Sequence, residues 1–257
     1  MFLFAILLVA CAKQPYGNSK KSYKKQLNTY VRELKKQESK NGEAQFLPTV
    51  NFNLRKPNLV VIHHTAQNSC HETKTTFTRV QSEVSAHYVI CKDGSVIQML
   101  DERLRAWHAG EGSWGISHDV NSASIGIELD NDGNTPFPEE QIESLLSVLK
   151  GIDSRWQIPT ANYIGHADLA PTRKNDPNIH FPWSTLAENG FGYFYDDNEL
   201  IAAPSQFDPY LGLRVIGYGL QDTTATIRAF HRRFNNEEKS DTLTYKDKSI
   251  VFWLTQQ

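Results

Sequence analysis

Residues 58–63 read NLVVIH, a β-branched apolar run just after Pro57, and this stretch most narrows the folds open to the chain. A short run that is apolar throughout, rather than at alternate positions, is the pattern of a fully buried strand. It ends in His63 and His64, followed by Thr65 and Ala66. A strand that ends in a histidine delivers it to the edge of a sheet, where the sites of open α/β folds sit. Successive strand residues point to opposite faces, so His63 and His64 cannot both reach one site from a regular strand.

The rest of the chain alternates helical and extended patterns around that strand. Residues 72–81 predict a short helix, and residues 87–91 and 96–100 predict strands joined through Lys92, Asp93 and Gly94, a hairpin signal. Residues 105–114 form a loop dense in aromatic residues and glycine. Residues 124–129 (SIGIEL) alternate as a strand does, with Ile125 and Ile127 on one face and Gly126 and Glu128 on the other. Pro138 opens a helix with Glu139 and Glu140 in its first turn, where carboxylates suit the dipole. Its buried stripe is Ile142, Leu145, Leu146, Leu149 and Ile152. A second short helix over 183–189 stops at Gly190. Beyond Tyr195 a linker-like composition leads to three more helical segments, 206–217, 224–234 and 241–254, with Thr223 or Thr224 and Asp241 as N-caps. The expected fold class is α/β: a central mixed β-sheet flanked by helices, with a small C-terminal helical domain. The 257 residues suffice for one medium domain with something appended.

Residues 164–177 (IGHADLAPTRKNDP) bring a histidine, a carboxylate and a lysine into one short segment. Pro171 and Pro177 deny it a regular helix, and the Asp176–Pro177 pair favours an extended or turned backbone. The segment reads as a loop built to present groups, not to bury them. His166 and Asp176 are candidate ligands of a divalent metal, with Lys174 nearby to place a positive charge. Two protein ligands do not close such a site, and His63 is the best third. Two histidines and an aspartate leave a fourth tetrahedral position for water, as a catalytic zinc site requires.

The blocks VIHHTA (61–66), SAHYVI (85–90), AWHAG (106–110), SIGIEL (124–129) and GHADLAPTRKNDP (165–177) follow one another in that order. Together they resemble the zinc-dependent N-acetylmuramoyl-L-alanine amidase family, related to the peptidoglycan recognition proteins. The resemblance covers about residues 47–195 and is strongest to the lipoprotein branch of that family. It implies Zn2+ held by His63, His166 and Asp176, with Glu128 as general base and Lys174 stabilising the negative charge of a tetrahedral intermediate. By itself, Glu128 on a strand reads more readily as a surface residue. The implied reaction is hydrolysis of the amide between N-acetylmuramic acid and L-alanine, in peptidoglycan or muropeptides, for wall turnover or remodelling. The competing class is a non-catalytic peptidoglycan recogniser or a wall-attachment lipoprotein. Relatives that only recognise peptidoglycan have lost a zinc ligand, whereas here all three ligands stand with Glu128 and Lys174.

Trp107, His108 and His87 fall in the same motifs and are expected to line a substrate cleft; for both histidines a structural role is the alternative. Trp107, with Gly110, Gly112 and Trp114, either stacks on a sugar or peptide or packs on its own domain. Asp168 either orients His166 or caps the loop. His71, His118, His180 and His231 read as surface or packing residues.

At the front, an apolar run ends Leu8, Val9, Ala10, Cys11, which resembles a lipobox, with Cys11 the lipidated residue. It departs from the usual export signal in having no Lys or Arg ahead of the apolar run. The expected layout is a lipoprotein signal over 1–11, a basic tether over 12–46, the catalytic domain over 47–195 and the helical domain over 196–257. Within the tether, residues 20–40 are lysine-rich and carry Leu27, Tyr30, Val31 and Leu34 at helical spacing, either as a solvated helix face or against an anionic membrane. A lipid anchor would place the protein in the cell envelope, at the outer membrane and facing the periplasm. Cys70 and Cys91 then remain as a candidate disulfide pair. TIRAFHRRFN (226–235) resembles a helix of peptidoglycan-binding domains, so the last segment either binds the wall or stabilises the domain before it. A net charge of −2 argues against a nucleic-acid partner, and a monomer is expected.

Overall fold

A computed structural model describes residues 16–36, 47, 49–237 and 240–257. The chain divides into two units, Met1–Asn53 and Leu54–Gln257. The described part of the first unit is essentially one helix, α1 (Gly17–Lys35), none of whose residues is buried. It realises the helical spacing expected of the lysine-rich segment. The lipobox and Cys11 lie outside the described residues. Among the described residues no helix is long and apolar enough to cross a membrane.

The second unit is built on a mixed five-stranded sheet in the order β3-β2-β4-β1-β5. β1 (Leu59–His64) runs parallel to both β4 (Ser124–Leu129) and β5 (Tyr163–Gly165). β2 (Tyr88–Ile90) is parallel to β4 and forms the expected antiparallel hairpin with β3 (Val96–Gln98). β1 is apolar on both faces because both are covered. Val60 and Ile62 join Ile125, Ile127 and Leu129 against α4 (Glu139–Trp156), which contributes Ile142, Leu145, Leu149 and Ile152. Leu59, Val61 and Ile164 meet Leu213 of α7 (Pro209–Ile216), Phe230 and Phe234 of α8 (Thr223–Phe234), and Ile250 and Val251 of α9 (Tyr245–Leu254). Each such side chain contributes roughly 1.5–3 kcal/mol on full burial. The helices that follow residue 196 therefore share a core with the sheet.

Between these elements lie α2 (Cys70–Phe77), α3 (Val120–Ala123), α5 (His166–Leu169) and α6 (Trp183–Glu188). Cys70 and Cys91 are joined by a disulfide, with Cα atoms 5.4 Å apart, tying the start of α2 to the end of β2. Gly190 takes up φ +88° where α6 ends, as expected of a stop glycine.

Several boundaries differ from the sequence expectation, those of α7, α8 and α9 for a capping reason. Pro138 precedes α4 instead of opening it. α7 starts later than residue 206 because Asp208 accepts from the backbone N–H groups of Tyr210 and Leu211. Asp222, not a threonine, caps α8, and Thr244 with Asp247 forms a capping box on α9, displacing Asp241 from that role. The helix expected over 72–81 ends at Phe77, with a short 3-10 turn at Val80–Ser82.

Candidate metal centre and active site

The sheet register assembles the site. His63 lies next to the end of β1, and its Cα partner across the ladder is Glu128 of β4. On β1's other side, β5 runs in register to Gly165 opposite Ile62, so that His166, the next residue, arrives beside His63. The chain then leaves through α5 and returns, with the Ala167 N–H donating to the Asp176 carbonyl at 2.8 Å, which brings the Asp176 side chain to both histidines. His63 Nδ1 and His166 Nδ1 are 2.9 Å apart, and each is 3.0 Å from Asp176 Oδ2. All three residues are buried.

The hydrogen bonds behind the imidazoles fix which nitrogens carry protons. His166 Nε2–H donates to the Ala109 carbonyl at 2.8 Å, so Nδ1 is the nitrogen turned to the centre and the one whose lone pair a metal would take. The Ser124 hydroxyl donates to the Val120 carbonyl at 2.5 Å and so accepts from His108 Nε2–H at 3.1 Å. His108 Nδ1 is then an acceptor, 3.0 Å from His63 Nε2, which must donate to it. His63 Nδ1 also faces the centre as a lone pair. Burial, and next the nearby His166, push His63 down to about 4, consistent with a neutral ring. Burial alone would raise the Asp176 carboxyl, but the two imidazoles against it hold it far below the ordinary carboxylate range. Two imidazole nitrogens and a carboxylate oxygen thus converge on one point, a donor set that suits a divalent cation held by three protein ligands.

Glu128 is buried beside this cluster. Burial first, and the Asp176 carboxylate second, push it up to about 8, with Lys174 offsetting part of the rise. Such a group can take and return a proton near neutral pH. Lys174 is half-buried, close enough to bias both Glu128 and His63.

The structure therefore brings together His63, His166, Asp176, Glu128 and Lys174; His108, expected to line the cleft, is buried behind His63 with both ring nitrogens committed to His63 and Ser124, the structural alternative. It does not place His87 in the cleft. That residue is fully buried, accepting from the Gly126 N–H at 3.0 Å and meeting the Leu104 carbonyl at 3.0 Å, so it supports β4 from behind and has no surface to offer a substrate. Trp107 is 52% exposed, one residue before His108. Trp114 is buried against Tyr218 with ring centroids 5.0 Å apart, so of the two tryptophans it is the one that packs on its own domain. His64 is buried on the other side of the strand, its ring against Gly133. Asp168 does not touch His166; it accepts from the Gly165 N–H, the Tyr218 hydroxyl and Arg233 at 2.7–2.8 Å. Of the 164–177 segment, expected to present its groups to solvent, 171–175 do so, whereas 164–170 and 176–177 are buried, with α8 packed against α5. His71, His118 and His180 are exposed, whereas His231 is buried and paired with Asp247 at 3.0 Å. Sequence reasoning missed Asn121, Ser124, Tyr218 and Arg233, whose partners lie many residues away and leave no local pattern.

A mixed sheet carrying a buried two-histidine, one-aspartate cluster defines an α/β protein with a candidate metal site. Residues 53–179 match the family of N-acetylmuramoyl-L-alanine amidases and form a domain of that family. N-acetylmuramoyl-L-alanine amidase AmiD of Escherichia coli (strain K12) is 36% identical over 154 residues, covering 54% of this chain and 55% of the relative. The 1,6-anhydro-N-acetylmuramyl-L-alanine amidase AmpD of Enterobacter cloacae is 40% identical over 101 residues, 39% of this chain and 54% of the relative. The chain thus spans about half the length of these curated relatives. The solved complex of E. coli AmiD with anhydro-N-acetylmuramic acid-L-Ala-D-gamma-Glu-L-Lys superimposes with a TM-score of 0.71 at 27% identity, over 85% of this chain and 96% of that one.

Proposed function

We propose that this protein is a zinc-dependent N-acetylmuramoyl-L-alanine amidase, cleaving the amide between N-acetylmuramic acid and L-alanine in peptidoglycan or muropeptides. The observation that carries this reading is the convergence of His63, His166 and Asp176 on one point with Glu128 beside them. The residues that would hold Zn2+ are those three, and the donor set of two neutral imidazoles and one carboxylate is a catalytic zinc set. When bound, the metal supplies Lewis acidity, polarising a carbonyl and making water acidic enough to attack near neutral pH.

This chain's own residues account for the proton and charge movements. Glu128 takes the proton of the attacking water on its carboxylate and returns it to the departing amide nitrogen. Lys174 stabilises the negative charge that builds on the carbonyl oxygen. Trp107, exposed next to His108, would offer a face to a sugar ring. The AmiD complex with an anhydromuramyl tripeptide supports this substrate class. A lipid anchor on Cys11, with the tether behind it, would hold a monomeric enzyme at the outer membrane and let it act on the wall from the periplasmic side. The alternative, a non-catalytic recogniser or wall-attachment lipoprotein, is disfavoured because every ligand position and both Glu128 and Lys174 are intact.

Incubating the purified protein with defined anhydro and reducing muropeptides, and identifying products by mass spectrometry, tests the proposal. Release of free stem peptide is expected with zinc present. Retained binding of muropeptide without release would make the protein a recogniser.

A further inference from the structure

We propose that Asn121 and Ser124, neither of which reaches the centre, are positioning residues that fix both ligand histidines through a single loop. Asn121 is buried, and its Oδ1 accepts two consecutive backbone N–H groups, those of His108 at 3.0 Å and Ala109 at 2.9 Å. These two neighbours each hold a different ligand: His108 Nδ1 receives His63 Nε2–H, and the Ala109 carbonyl receives His166 Nε2–H. One amide oxygen therefore sets the position of the partners of both imidazoles.

Ser124 completes the device on the His63 side. Its hydroxyl hydrogen is committed to the Val120 carbonyl, so its oxygen demands a proton on His108 Nε2 and leaves His108 Nδ1 to accept. The His108 ring is held in plane by close approach to Gly126, where a Cβ would come within 2.4 Å of the ring. Both residues are anchored in turn by Arg55, whose guanidinium donates to the carbonyls of Asn121 at 3.1 Å and Ser124 at 3.0 Å. The arrangement has the logic of partners behind a metal site: they select the tautomer and aim the ring, so that both Nδ1 atoms point inward before any ion arrives.

This inference rests on the zinc reading above, and the test separates the two. Zinc affinity of the full chain is measured by competition with a chelator for the wild type, Asn121→Ala, Asn121→Asp and Ser124→Ala, with thermal unfolding of each metal-free protein alongside. Asn121→Ala is expected to bind zinc about 10–100-fold more weakly, and Ser124→Ala about tenfold more weakly, in the range seen for partners behind metal ligands. Asn121→Asp keeps the double acceptor and is expected within about threefold of wild type, and the cobalt-substituted absorption spectrum should shift in Asn121→Ala but not in Asn121→Asp. A folded Asn121→Ala with wild-type zinc affinity overturns the inference; should that variant not fold, unchanged affinity in Ser124→Ala overturns it. A wild-type chain that binds no zinc removes the zinc reading itself.

Discussion

Strand β1 and the stretch from β5 through Asp176 deliver the two halves of the same site, yet they depend on the rest of the molecule in opposite ways. β1 is held by the sheet ladder on both sides and by apolar contacts on both faces. Its position follows from what its own residues are. The second stretch contains three strand residues and one turn of helix; it shares β1's ladder and buries Ile164, Ala167 and Leu169, and it adds polar contacts from a distant part of the chain. Arg233, 65 residues away, donates to Asp168 at 2.8 Å and stacks on Trp183 at 4.2 Å, while Tyr218 donates to the same carboxylate at 2.7 Å. The strand that carries one ligand is thus set by its own apolar pattern, whereas α5, which carries another, is also held by a long-range ion pair.

If both regions serve one centre, removing a ligand from either should be equally damaging. His63→Ala and His166→Ala should each lower the rate of stem-peptide release by at least about 10³-fold, the loss of several kcal/mol of transition-state stabilisation, with zinc lost in both. Steady-state assays with elemental analysis would check this, and a large activity difference between the two would break the symmetry. Glu128→Gln sharpens the point: it should lower kcat by about 10²–10⁴-fold while zinc remains bound, since it removes the proton carrier and none of the ligands.

The stability of the two regions should diverge in kind. Arg233→Met leaves the Asp168 carboxylate buried without its cation and should cost about 3–5 kcal/mol in denaturant unfolding. It should also weaken zinc binding, because α5 carries His166. Ile62→Val in β1 should cost only about 0.5–1.5 kcal/mol and leave zinc affinity unchanged. Equal zinc losses in the two variants would contradict the contrast drawn between them.

The smallest expected effect is a pH effect on α8, the helix that carries Arg233. Burial lowers His231, but its hydrogen bond and attraction to Asp247 outweigh this and raise it above the ordinary 6.5. Its contribution is fully present below the unfolded value and is lost as pH rises through the raised folded value. Asp247 has the reverse sign: burial works to raise it, the hydrogen bonds of His231, Thr244 and Asn235 depress it below 3.8, and its contribution is lost as pH falls. Urea unfolding of the metal-free protein should therefore show a loss from pH ~6 to ~9 that is larger in the wild type than in Asp247→Asn by on the order of 1 kcal/mol, the loss from the raised Glu128 carboxyl being common to both.

This contrast also explains what the sequence made legible. The apolar run of β1, the alternation of Ile125 and Ile127 against Gly126 and Glu128, and the hairpin at Lys92–Gly94 are short-range patterns, and the mixed sheet follows from them. Which face of β4 looks into the site was readable too, because Glu128 alternates with the isoleucines. The burial of 164–170 was not: the prolines and charges describe a solvated loop, which 171–175 is, and only Arg233 and Tyr218, from another part of the chain, close over Asp168. The same holds for Asn121, an unremarked residue in sequence whose one oxygen serves two backbone donors, and for His87, whose motif suggested a cleft but whose place is beneath the sheet surface.

Zinc titration of the metal-free chain, following stem-peptide release at each step, tests the central claim most directly. The account predicts no release without metal and a rate that climbs linearly until a single equivalent is bound, then levels. Full-rate release from a chain stripped of metal, or a rate indifferent to added zinc, would contradict it.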